Sequence, residues 1–74
     1  MGKGVTATME FVRSTSKTIF YAVFDKNGKE IGFVEKAISG ADKGKVFCYA
    51  LGYKYNRNYI QRVYNYYTNK ETQL

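Results

Sequence analysis

KVFCYALGY, residues 45–53, decides the fold: wound up it makes a short helix, drawn out it adds a strand to a sheet. Both readings stand. Val46, Phe47, Cys48 and Tyr49 suit a buried strand. Equally, Asp42 is a fitting helix N-cap and Gly52 stands where a helix would end. Nearly every position is apolar, so neither the two-residue period of a strand nor the 3.6-residue period of a helix can be read.

Upstream, the punctuation is clearer. VTATMEFVR (5–13) alternates, with Val5, Ala7, Met9 and Phe11 on one side and Thr6, Thr8 and Glu10 on the other. Ser14, Thr15 and Ser16 make a short turn. KTIFYAVFD (17–25) is apolar on both sides, as a central strand is. Asn27-Gly28 then predicts a two-residue hairpin turn with both central residues at positive φ. EIGFVEKAI (30–38) returns as a third strand with Ile31 and Phe33 inward, and Gly32 marks a bulge or a close approach. SGADKGK (39–45) breaks the pattern.

Downstream, ALGYKYNRNYIQRVYNYYT (50–68) holds six of the eight tyrosines, three cations, four side-chain amides and no acid. Wound from Asn58, it sets Ile60, Val63, Tyr64 and Tyr67 on one stripe and Asn58, Gln61, Arg62, Asn65 and Asn69 on the other. As a strand neither side is clean, because Ile60 and Tyr64 would share theirs with Arg62. Asn58 is a good N-cap, and Gln61 three residues on forms a capping-box-like pair. The residues are poor helix formers, but period outweighs propensity in a segment packed on a sheet. Tyr49, Tyr53, Tyr59, Tyr64 and Tyr67 are expected to cover the sheet, with Tyr55 and Tyr66 exposed. The expected architecture is therefore α+β. A three-stranded antiparallel meander over 5–38 leads to a short apolar element, helix or fourth strand, and then to a basic C-terminal helix. All of it lies in one small domain spanning residues 1–74.

The same segment carries the charge. Residues 1–42 have six cations and five acids, whereas residues 43–70 have six cations and no acid. Most of the net charge of +6 thus lies in the C-terminal part, which suits phosphate backbones, anionic membrane surfaces or an acidic protein. Contact with about five phosphates would weaken roughly 500-fold between about 50 and 200 mM salt. Arg62 can read guanine, and Asn58, Gln61 and Asn65 can read adenine, by paired hydrogen bonds in a major groove. Lys43, Lys45, Lys54 and Arg57 are placed to hold phosphates, and Tyr66 to stack on or pack against the nucleic acid. Single-strand binding by the sheet is a variant, since Phe20, Tyr21, Phe24 and Phe33 put aromatics on its two sides.

CYALGY followed by RNYIQRV resembles a bihelical helix-turn-helix, with Cys48 as the small residue, Gly52 as the turn glycine and Ile60 and Val63 as the apolar pair. The resemblance implies that residues 58–65 enter a major groove. The chain between Gly52 and Ile60 is about two residues longer than that motif, and a sheet would have to replace its supporting helix.

Catalysis is poorly supplied. There is no histidine, so the usual nucleophilic dyads and triads, and the commonest zinc ligand, are missing. No glycine-rich phosphate loop occurs. Cys48 is the single cysteine; it reads as a small buried hydrophobe, and no intrachain disulfide can form. The expectation is a non-enzymatic protein without cofactor or metal that binds nucleic acid, DNA ahead of RNA. The alternative is a small phage-type accessory protein that inhibits or adapts a host protein, docking on an acidic or nucleic-acid-binding surface. Either could act as monomer or homodimer. MGKGVTATMEF has no long apolar leader core, and the longest apolar run, Val46 to Leu51, is six residues. A cytoplasmic location without membrane contact is expected, in the host if the chain is virus-encoded.

Overall fold

The computed structural model describes residues 5–72, with side chains to Asn69. Lys3 and the side chain of Lys70, both counted in the charge pattern, lie outside the described residues. The elements are β1 (Thr8–Ser14), β2 (Thr18–Phe24), β3 (Glu30–Ala37), β4 (Val46–Ala50) and α1 (Arg57–Thr72). The strands form one antiparallel sheet in the order β1-β2-β3-β4. The expected three strands plus a short undecided element are corrected to four strands, since β4 pairs with β3 from Lys36↔Val46 to Gly32↔Ala50. The helix-turn-helix resemblance fails with it: the would-be first helix is a strand. Ladder pairing is the physical reason. β3 would otherwise be a bare edge, and 46–50 satisfies its backbone groups while burying Cys48.

The turns depart from expectation in detail. Asn27-Gly28 is not a turn with two positive φ values; among the described residues only glycines have positive φ, and here it is Gly28. The loop instead runs Lys26-Asn27-Gly28, closed by the Asp25 N–H donating to Lys29 O at 2.8 Å. Asp25 Oδ1 accepts the N–H groups of Asn27 (2.8 Å) and Lys29 (2.9 Å), and this captured pair of donors favours the longer loop. Those bonds, that of Lys29 first, draw the Asp25 carboxyl below its ordinary pKa. Helix α1 starts two residues earlier than expected. Asn56, not Asn58, is the cap: its Oδ1 accepts the Tyr59 N–H at 3.0 Å.

A register shift opposite Val23 and Phe24 sets which residues face the helix. Val23 pairs with Gly32 and Phe24 with Glu30, leaving Ile31 as the extra residue of a bulge. Ile31 and Gly32 both turn toward α1, and Phe33, expected inward, lies on the opposite side. The core is one cluster beneath the helix, built on Val23, Ile31, Val34, Cys48, Ile60 and Val63, with Ala7 and Tyr64 at its margin. Tyr59 and Tyr67 pack around it. Tyr55, expected exposed, is half-buried and stacked on Tyr59 at 4.9 Å. Tyr49 and Tyr53, expected to cover the sheet, are exposed.

The helix sits where glycine lets it. A methyl group on Gly32 would lie 2.5 Å from both Ile60 Cδ1 and Tyr49 O, closer than any real contact. Gly32→Ala should therefore destabilise the protein by about 1–3 kcal/mol through overpacking. Ile60→Val alone should cost about 1 kcal/mol, and less in the Gly32→Ala background, where it removes the clashing Cδ1. Urea denaturation of the four chains checks this; additive losses would separate the two residues.

Candidate functional site

Ile60, Val63, Tyr64 and Tyr67 face the sheet, so the rest of α1 points outward. Arg57, Asn58, Arg62 and Asn65 are exposed, and the first turn carries no acid. Arg57 is the first helical residue, where the helix dipole is already positive. The start of α1 lies beside the edge strand β4. Between them is a depression of about 400 Å³ lined by residues 46–49 of β4 and by Arg57, Asn58 and Gln61.

Gln61 ties the two walls together. It is half-buried; its Oε1 accepts the Cys48 S–H at 3.4 Å, and its Nε2 donates to Asn65 Oδ1 at 3.1 Å. Gln61 is thus engaged inside the protein, with less capacity to read a base than the outward-pointing Asn58. Arg62 carries its guanidinium 5.9 Å from the Tyr59 ring centre, which orients the group without withdrawing it from solvent. Tyr66, one turn further on, is exposed and meets Tyr67 edge-on at 5.4 Å.

The other cations lie apart from this group. Lys54 stands in the loop before α1, its Nζ 5.8 Å from the Tyr55 ring centre. There it lines a second depression with Asp25, Lys29 and Glu30, and its charge helps hold the Asp25 carboxylate ionised. Lys43 and Lys45 belong to the turn between β3 and β4, and Lys45 pairs with Asp42 at 3.4 Å. Both partners are well exposed, so the pair holds little energy but offsets the lysine charge locally. Of the nine residues singled out in sequence, Arg57, Asn58 and Gln61 share the depression, and Arg62, Asn65 and Tyr66 continue along α1. Phe47 and Tyr49 were missed as surface residues. Their signal is alternation: once 46–50 is a strand, they fall on the side opposite Val46, Cys48 and Ala50.

No cluster of three or more Cys, Asp and Glu side chains suited to a metal occurs among the described residues. No helix there is long and apolar enough to cross a membrane. Burial pushes the Cys48 thiol above its ordinary pKa, against a smaller opposing pull from Arg57. Alkylation of Cys48 by iodoacetamide at neutral pH should be at least about tenfold slower in the native chain than in urea. Equal rates would mean that β4 and α1 part readily.

Comparison of the chain with protein-family models, with curated proteins and with solved structures finds no match.

Proposed function

We infer that the protein is a non-enzymatic nucleic-acid-binding protein, DNA ahead of RNA, whose contact surface is the outward side of α1 and the adjoining lip of β4. One observation carries this reading. From Arg57 to Asn69 the helix has two arginines, three asparagines and a glutamine, no acid, and an outward surface free of the core. A helix side kept only for solubility would interleave Lys with Glu, gaining support from pairs three or four residues apart. Here that support is forgone. The exposed groups are instead those that grip phosphates and pair with base edges.

Within the surface the roles differ. Arg57 and the free N–H groups of the first turn form a phosphate anchor. Arg62 and Asn58 have the reach and freedom to meet base edges. Asn65 is already accepting a bond from Gln61, and Gln61 from Cys48, so these two serve mainly to position. Lys45 and Lys54, each near a carboxylate, add general attraction and little more.

Arg57→Ala and Arg62→Ala should each weaken duplex binding by about 1–3 kcal/mol, and Arg57→Ala, as the phosphate anchor, should also reduce the salt slope by about one. Lys45→Ala and Lys54→Ala should cost less than either. Both arginines are exposed, so melting temperatures should stay near wild type. Electrophoretic shift or fluorescence anisotropy between about 50 and 200 mM salt reads this. No binding of duplex or single-stranded DNA at the lower salt would refute it, leaving the same basic surface to an acidic protein partner.

A further inference from the structure

The sheet has two sides and α1 covers one. On the other, strand pairing sets Arg13, Phe20, Glu35 and Phe47 in one row across the four strands. Glu10, Ala22, Phe33 and Tyr49 form the next row, and Thr8, Phe24 and Glu30 a third. The rings of this side take no part in the core. Three of the chain's six acids therefore lie here against one cation, in a protein of net charge +6. Among the described residues none of the three has an ion-pair partner. Asp42 and Asp25, by contrast, are engaged, the first by Lys45 and the second by two backbone N–H groups.

Glu35 is the centre of the pattern. It is half-buried, with Phe20 and Phe47 beside it on the neighbouring strands and Phe33 two residues back on its own. Cross-strand neighbours lie about 5 Å apart at Cβ. A carboxylate among rings suits a guanidinium or ammonium group, which pairs with the first and lies over the second. Arg13 already makes the second contact, 4.4 Å from the Phe20 ring centre. Phe47 and Tyr49 remain open, each about two-fifths exposed, and Tyr49 is held in place by stacking on Phe33 at 4.6 Å. Near the β2–β3 loop a depression of about 370 Å³ repeats the combination, with Glu10, Asp25 and Phe24 in its wall beside Lys26.

We propose that this side of the sheet docks a basic segment of a partner protein, whose arginine or lysine side chains sit between its carboxylates and rings. Charge selects that occupant. A phosphate backbone would meet a net negative surface. A second copy laid on by the same side would bring six carboxylates together against two arginines. Size agrees. Four strands about 4.8 Å apart and about six residues long present roughly 400 Å² in projection, room for an extended segment but not for a stable globular interface. The association is therefore weak and sensitive to salt. It does not rest on the nucleic-acid reading, since α1 lies on the far side of the sheet.

Fluorescence anisotropy of labelled hexa-arginine, with an NMR titration of the protein by the same peptide, tests the proposal. The wild-type chain should bind with a Kd of about 10–300 µM at about 50 mM salt, and about tenfold more weakly at about 200 mM. Amide shifts should centre on Glu35, Phe47 and Tyr49 rather than on α1. Glu35→Gln should weaken binding about fivefold, and Glu10→Gln with Glu35→Gln about 20-fold. Phe47→Ala, at an exposed position, should weaken it about threefold. Asp42→Asn removes the same charge elsewhere and should leave affinity within about twofold. All these chains should melt as wild type does, since no core side chain changes. No binding at the lower salt overturns the proposal, as do shifts confined to other surfaces. An Asp42→Asn chain as weak as Glu35→Gln overturns it too, because net charge alone would then govern. Self-association in sedimentation velocity, or oligothymidylate binding, that is lost in Phe47→Ala gives the side to a second copy or to a nucleic acid instead.

Discussion

Ile60 resting on the bare backbone of Gly32 is the contact on which the rest of the structure depends. It joins α1 to the middle of the sheet at a point where any side chain would collide with the Ile60 tip and with the carbonyl of Tyr49. The bulge at Ile31 makes this possible. By turning two successive residues to the same side, it gives the helix a large neighbour and an empty place next to each other. With Ile60 seated, Val63 and Tyr64 follow at helical spacing over Val23, Val34 and Cys48. The helix then crosses toward the far edge, where the Tyr67 hydroxyl donates to the carbonyl of Ala7 at 3.2 Å. What faces outward is a consequence of what is locked inward, so Gly32 indirectly aims Arg57, Asn58 and Arg62.

The sequence was legible where one side of an element differs from the other. The α1 stripe of Ile60, Val63, Tyr64 and Tyr67 is such a place, and so is the alternation of Ala7 and Met9 with Thr8 and Glu10. It was illegible for 46–50, where every residue is apolar and only pairing with β3 decides between helix and strand. Phe33 was misplaced because a single inserted residue reverses every later side of a strand, and no local signal separates a bulge glycine from a packing glycine. The site divides in the same way. Residues on α1 could be grouped because they share an element. Lys43, Lys45 and Lys54 could not be separated from them, since sequence does not reveal that Asp42 and Asp25 lie beside two of these lysines.

A chain of 74 residues buries a small core, and this one compensates with tyrosine. Tyr21 and Tyr64 meet edge-on at 6.3 Å, Tyr55 stacks on Tyr59, and the Tyr67 hydroxyl is tied to Ala7, just before β1. Rings of this kind extend the apolar cover sideways while keeping one polar atom at the wet margin, which a Leu or Ile could not do. The result is a two-layer domain with unlike exteriors: a basic, amide-rich helix on one side and an aromatic sheet edged with carboxylates on the other. The first suits a polyanion and the second does not, so the two surfaces are not interchangeable parts of one binding site.

The start of α1 also departs from what stability alone would select. A helix gains from acids in its first turn, and this one has none. Arg57 occupies that turn and loses on the order of 0.3–1 kcal/mol against the dipole. Asn58, Asn65 and Tyr66 are weak helix formers at exposed positions where Ala, Glu or Lys would serve better. Asn56 offsets part of this by capping the Tyr59 N–H, and Thr68 bonds back to the Tyr64 carbonyl at 2.9 Å. The burial of Ile60 and Val63 supplies most of the remainder. Departures spread along the whole chain would suggest only a loosely optimised sequence. The arginines and asparagines gather on the outward side of α1, where no packing requires them. That distribution is the one the proposed binding role would require of a helix whose packing is otherwise fixed.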